Sequence, residues 1–213
     1  MISIKVDKAI ENAEELKETL SSSKVLVQSF KILKPDKKNI WRKSIFLLID
    51  IIIGIIVVKQ ADTIALTKDI FELFITILIA LVAIVFTGYS FFQALINDRL
   101  LITLLSVDDE HGNLYGTNKY FAEVMIFQIA CLLVDILLVI FMIIVPKNWC
   151  AFDNNQANEW ISGIALVFLL HCNIESIWEM KSFIFNVFQL FNLHAYARIS
   201  EINDNEKKIN KLL

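Results

Sequence analysis

Apolar residues in this chain gather into four runs, at about 44–58, 70–96, 121–145 and 160–177, and the charged residues fall between them. Crossing the roughly 30 Å hydrocarbon core of a bilayer takes about 20 helical residues, a length that the second and third runs reach. The fourth reaches it if its helix continues toward Phe191. The first is shorter. From Ile45 to Val58 it rises only about 21 Å at about 1.5 Å per residue. It spans fully only if "KQADTIALT" carries the helix onward, or if the bilayer thins locally. The pattern predicts an all-α polytopic membrane protein with four transmembrane helices.

The two halves of the chain resemble each other. "LLIDIIIGI" (47–55) and "LLVDILLVI" (132–140) align without a gap, and each opens a span. Each span is followed by a short loop and a returning helix that overruns the membrane, through "GYSFFQALINDRLLITLL" in the first half and "KSFIFNVFQLFNLHAYARI" in the second. Helical hairpins used twice in the same orientation are parallel repeats, related by an axis along the membrane normal. The resulting division is 1–43, an amphipathic helix and a basic collar; 44–97, the first hairpin; 98–120, a helix extension and loop; 121–180, the second hairpin; and 181–213, a second extension and tail. In the first segment Val6, Ile10, Ala13, Leu16 and Leu20 form one apolar stripe. "SSSK" interrupts that helix, and Pro35 breaks the chain before the collar.

Composition agrees with the pattern. The chain has 213 residues, is 56% hydrophobic and contains only 5 Gly and 2 Pro, with a mean hydropathy of +0.60. These values lie outside the range of ordinary soluble domains. The first 24 residues lack the apolar core of a removable signal peptide. Cys131, Cys150 and Cys172 are odd in number and have no metal or redox spacing, so no disulfide framework is expected. Lys and Arg cluster before the first run and again in the tail, and are sparse in the two short loops. The positive-inside bias therefore places both termini and the 98–120 loop in the cytoplasm, with Trp41, Trp149 and Trp160 at interfacial depth.

The chemistry centres on two aspartates. A charged Asp near a bilayer centre costs roughly 2.5–3.5 kcal/mol on insertion scales, so Asp50 and Asp135 each need a reason to be there. Three readings remain open. The pair lines a polar pathway, which repetition around a homo-oligomer would turn into cation-favouring carboxylate rings. Or they are structural groups, kept neutral by burial and hydrogen-bonded to Thr87, Ser90, Gln128 or Asn173. Or they belong to a proton relay. In "HCNIESIWEMKS", His171, Glu175 and Glu179 share one helical face and Asn173 lies elsewhere; one His and one Glu supply too few ligands for a metal, so a polar seam is expected. Lys181 is placed to neutralise a carboxylate of a neighbouring helix.

No catalytic motif and no glycine-rich phosphate loop occurs, and no extramembrane segment is large enough for an enzyme active site, so a non-enzymatic protein without cofactor is expected. The collar residues Lys34, Lys37, Lys38, Arg42 and Lys43 suit anionic lipid headgroups or a protein partner, each contributing about 1 kcal/mol near a charged surface. Direct nucleic-acid binding is not expected, because aromatic residues interleave poorly with these charges.

The layout of four spans with both ends inside, together with the "LLIDI" and "LLVDI" segments, resembles the four-span membrane subunit of Kiwa-type bacterial anti-phage defence systems. That resemblance implies an oligomeric membrane component that senses envelope disturbance and works with a soluble nucleic-acid-binding partner. Two functions follow. One is a homo-oligomeric inner-membrane sensor or anchor that recruits or controls a cytosolic effector. The other is a membrane effector or ion channel with Asp50 and Asp135 in its path.

Overall fold

The computed structural model describes residues 10, 13–14, 21–37, 39–60, 62–96, 98–105, 114–146 and 149–209. Among the described residues the regular structure is helical throughout: α1 Ser22–Ser29, a 3-10 turn Phe30–Leu33, α2 Ile40–Val58, α3 Thr63–Leu95, α4 Asp98–Leu105, α5 Leu114–Ile144 and α6 Asn155–Ile209. Lys38, the amphipathic stripe apart from Ile10 and Ala13, the acidic loop around His111 and the last four residues lie outside that description.

Several boundaries differ from the apolar pattern. The serine run starts a helix, because the Ser21 hydroxyl accepts the backbone N–H of Lys24 at 3.3 Å; whether it interrupts the preceding helix lies outside the described residues. Helix α2 begins at Ile40, so Trp41, Arg42 and Lys43 belong to it; its 19 residues rise about 28 Å. The first run is therefore longer than its apolar residues suggest. At its far end "KQADTIALT" does not extend it. Gln60 N donates to Val57 O at 3.1 Å, the Thr63 hydroxyl donates to Gln60 O at 2.7 Å, and α3 begins at that threonine. The extension expected through residue 105 is also broken, since α3 stops at Leu95 and 98–105 form the separate α4. Helix α6, in contrast, continues unbroken for 55 residues, about 82 Å. Before Pro35 the chain is extended, with Lys34 at φ −70 and ψ 127, as the pyrrolidine ring requires.

Among the described residues three helices are long and apolar enough to cross a membrane, within Thr63–Leu95, Tyr115–Ile144 and Asn155–Ile199. Helix α2 has the length, but Arg42, Lys43 and Asp50 fall within its 19 residues.

Two compact units divide the chain, and each takes residues from α3, α5 and α6, so the division does not fall between the two hairpins. The first contains Leu26–Ala83 and Val124–Met180. One of its apolar clusters joins Val57, Phe71, Val139, Leu166 and Leu170, and another joins Leu78, Phe127, Cys131 and Cys172. On α2 the buried positions are Lys43, Asp50, Gly54 and Val57, one stripe along the helix. A Cβ on Gly54 would lie 2.6 Å from Val167 Cγ2 and 3.8 Å from Gly163 O, so the missing side chain sets how closely α2 meets α6.

The other unit contains Ile84–Glu123, Lys181–Leu213 and the first 25 residues. Its centre is aromatic. Phe121 meets Phe92 at 5.6 Å and Tyr89 at 6.0 Å edge-on, and Phe183 at 5.1 Å in a tilted arrangement, between ring centroids, separations at which such pairs attract. Gly88 makes room for this cluster, since a Cβ there would lie 2.8 Å from Phe183 Cζ.

The Gly54 contact yields a direct test. Gly54→Ala overpacks the crossing and is expected to lower stability by about 1–3 kcal/mol. Adding Val167→Ala removes the opposing methyl groups and restores most of the loss in reversible detergent unfolding. Two losses that simply add would show that Gly54 and Val167 are not opposed.

Candidate functional site: a buried polar seam

The first unit has an apolar outer face and, between its apolar clusters, a buried set of polar groups. Ile45, Leu47, Leu48, Ile51, Ile52 and Ile55 of α2 are exposed, whereas Lys43, Asp50, Gln128, Asp135, Asn173, Glu175 and Ser176 are buried. In water this distribution would be unfavourable on both counts. In lipid it is the expected one.

The seam is built on α6. Glu175, wholly buried, receives Arg42 Nη1 at 3.3 Å on Oε1 and 3.2 Å on Oε2. Lys43 Nζ lies 3.5 Å from Oε2 of the same carboxylate and also donates to the carbonyl of Ile32. That carbonyl is held in place because Ile32 and Leu33 pack on the Phe127 cluster and Phe30 stands edge-on to Phe127 at 5.8 Å. The Arg42 guanidinium also lies 5.5 Å from the Phe46 ring centroid and 5.1 Å from that of Trp178, an arrangement that favours the planar cation over a lysine.

One turn along α6, His171 Nδ1 lies 2.8 Å from Asp50 Oδ2. The imidazole tautomer decides which of the two donates. Across the same α2–α6 contact, Arg42 and Lys43 of α2 both meet the carboxylate of Glu175. Asp135 of α5 approaches a different side of α6, where Asn173 Nδ2 donates at 3.1 Å to Asp135 Oδ1 and at 3.1 Å to Leu169 O. At about 100° per residue, His171 and Asn173 lie about 200° apart around α6. The two aspartates are therefore held by separate partners.

The expected polar seam is present, but its membership differs from the sequence reading. Asn173 does bond Asp135. Ser90 instead donates to Phe86 O of its own helix at 2.9 Å, and Gln128 has neither amide atom paired although it is fully buried. Glu175 is neutralised by Arg42 and Lys43. Those two were expected at lipid headgroups with Lys34 and Lys37, of which the latter pair is exposed. The signal for Lys43 was the spacing Lys43, Asp50, Val57, seven residues apart, which puts all three on one helical stripe; Arg42 has no such signal. Among the described residues no group of three or more His, Cys, Asp or Glu is placed to hold a metal ion.

No protein-family model, curated protein or solved structure matches this chain. Function has to be argued from the site itself. Its contacts join α6 to α2 through Arg42, Lys43 and Asp50 and to α5 through Asp135, while Asp50 Oδ1, Asp135 Oδ2 and the Gln128 amide are buried without a hydrogen-bond partner among the described residues.

Removing one partner of a buried ion pair costs about 3–5 kcal/mol because the remaining charge is left uncompensated. Glu175→Gln is expected to fall in that range, since it leaves Arg42 and Lys43 together. Lys43→Met added to it should recover part of the loss. Asp50→Asn keeps a hydrogen-bonding group opposite His171 and should cost clearly less, about 1–2 kcal/mol. Equal losses for Glu175→Gln and Asp50→Asn in reversible unfolding would refute this assignment.

Proposed function

We propose that the chain is a four-span, homo-oligomeric inner-membrane subunit, non-enzymatic, that acts as a sensor or anchor and presents a helical surface to a cytosolic effector. The observation carrying this reading is the pairing of the ionisable groups of α2 with side chains of α6. Arg42, Lys43 and Asp50 are what separate α2 from the three apolar helices, and each has a partner on α6. The exposed face of α2 is aliphatic. That supports α2 as the fourth span, with the collar on the cytoplasmic side.

The same pairing supports a structural role for the aspartates over a conduction role. Both are fully buried within one chain, and each has one oxygen engaged by a side chain of α6.

The surface for a partner lies on α6 beyond Met180. A helix of about 82 Å exceeds a hydrocarbon core of about 30 Å by more than half its length. Ile184, Phe188, Phe191, Ile199 and Ile202 in that stretch are 49% to 67% exposed. Their spacing follows the helical repeat, so they form one apolar stripe. Outside lipid such a stripe calls for a covering surface, supplied here by a second copy or by the effector. The layout resemblance makes anti-phage defence the setting we propose.

Ion flux through liposomes containing the purified chain tests the reading, with oligomer mass measured on the same sample. The expected result is no flux from the wild type, and none after Asp50→Asn with Asp135→Asn. Phe188→Asp with Phe191→Asp should reduce the oligomer to smaller species while the chain stays in the membrane. Flux that changes with the aspartate substitutions in an intact oligomer would favour the channel.

A further inference from the structure

At the opposite end of the first unit from the Arg42 seam, a cleft of about 560 Å³ opens among the end of α2, the start of α3, the end of α5 and the start of α6. Sites that take small molecules enclose about 300–1,000 Å³ and combine apolar walls with a few polar groups. Buried Phe71, Thr67 and Leu166 line it, with Leu138, Met142 and Leu169 also in the walls. Its exposed margin includes Glu159 and Ser162. Glu159 is the one Asp, Glu, Lys or Arg among the described lining residues.

The margin is built and not a gap between loose ends. Asn158 Nδ2 donates to Phe152 O at 2.6 Å and Asn158 Oδ1 accepts Phe152 N–H at 2.9 Å, pinning the loop to α6. Trp149 stands edge-on to Phe141 at 5.4 Å. Asn154 Oδ1 accepts Gln156 N–H at 2.9 Å and so caps the first turn of α6. Trp149 and Trp160 beside it suit the depth of lipid headgroups.

We propose that this cleft binds one acyl chain of a membrane phospholipid whose headgroup ends in a primary ammonium, with that ammonium at Glu159. The proposal rests on the reading that these helices cross a bilayer. Three features select this occupant. The inner walls carry no charge, so they suit a hydrocarbon chain. The margin opens where tryptophans mark the headgroup layer, so a lipid is the molecule at hand. Its one ionisable acid, without a lining Lys or Arg among the described residues, opposes an anionic head and attracts an ammonium.

The full chain, reconstituted in liposomes of equal phosphatidylethanolamine and phosphatidylglycerol, is released into detergent and its bound lipid read by native mass spectrometry. The wild type is expected to retain the ethanolamine lipid over the glycerol lipid by about tenfold. Glu159→Gln, on the exposed margin, should bring the two lipids to parity without reducing the total retained. Ala165→Trp, which fills the cleft from α6, should lose the lipid. Equal retention by the wild type, or lipid kept by Ala165→Trp at the wild-type level, would overturn the proposal. Extraction of the wild type from membranes by alkaline carbonate would defeat the spanning reading instead. A carbonate-resistant chain that retains no lipid defeats only the cleft.

Discussion

Neutralising charge where water is absent is the constraint on which this structure depends. Arg42, Lys43 and Asp50 lie on a helix whose other faces are aliphatic, and α6 supplies Glu175 and His171 to meet them. A single ion in such surroundings is expensive, whereas a set that sums to zero is tolerable when hydrogen bonds satisfy each member. The remaining geometry serves that pairing. Gly54 lets α2 come close enough to α6 for a short carboxylate to reach His171. The fold at Pro35 brings the Ile32 carbonyl to the Lys43 ammonium. Phe46 and Trp178 hold the Arg42 guanidinium on Glu175.

The polar groups are not all alike. The α2–α6 contact is ionic and closed by several partners, while Asp135 has a single amide donor in Asn173. Asp50 and Asp135, which occupy matching places in two similar stretches of sequence, thus have different neighbours. Local similarity in the chain is not carried through to a similarity of environment. What an aspartate meets depends on which helix faces it.

Much of the helical architecture is legible in the amino-acid order, because a run of apolar residues rules out most alternatives for a long helix. The ends are less legible. Arg42 and Lys43 read as the start of an extramembrane collar because charge is normally the mark of a boundary; only the later Glu175 makes them part of α2. Likewise the 59–67 stretch has enough apolar residues to continue a helix, and the break there depends on a threonine hydroxyl donating to the turn. Asn173 was readable only as one of four candidate partners for the two aspartates. His171 with Asp50 was not, since nothing local in the chain indicates which faces of two helices more than a hundred residues apart will meet.

That separation bears on how the protein is made. Arg42 precedes Glu175 by 133 residues and Asp50 precedes His171 by 121. At a synthesis rate of about 5–20 residues per second, α2 waits roughly 6–27 s for the helix that neutralises it. In the four-span arrangement α2 is then the first span to leave the ribosome and the last to become comfortable in lipid. If α2 spans as proposed, it carries Arg42, Lys43 and Asp50 without their α6 partners for that interval, so full insertion before α6 would be costly.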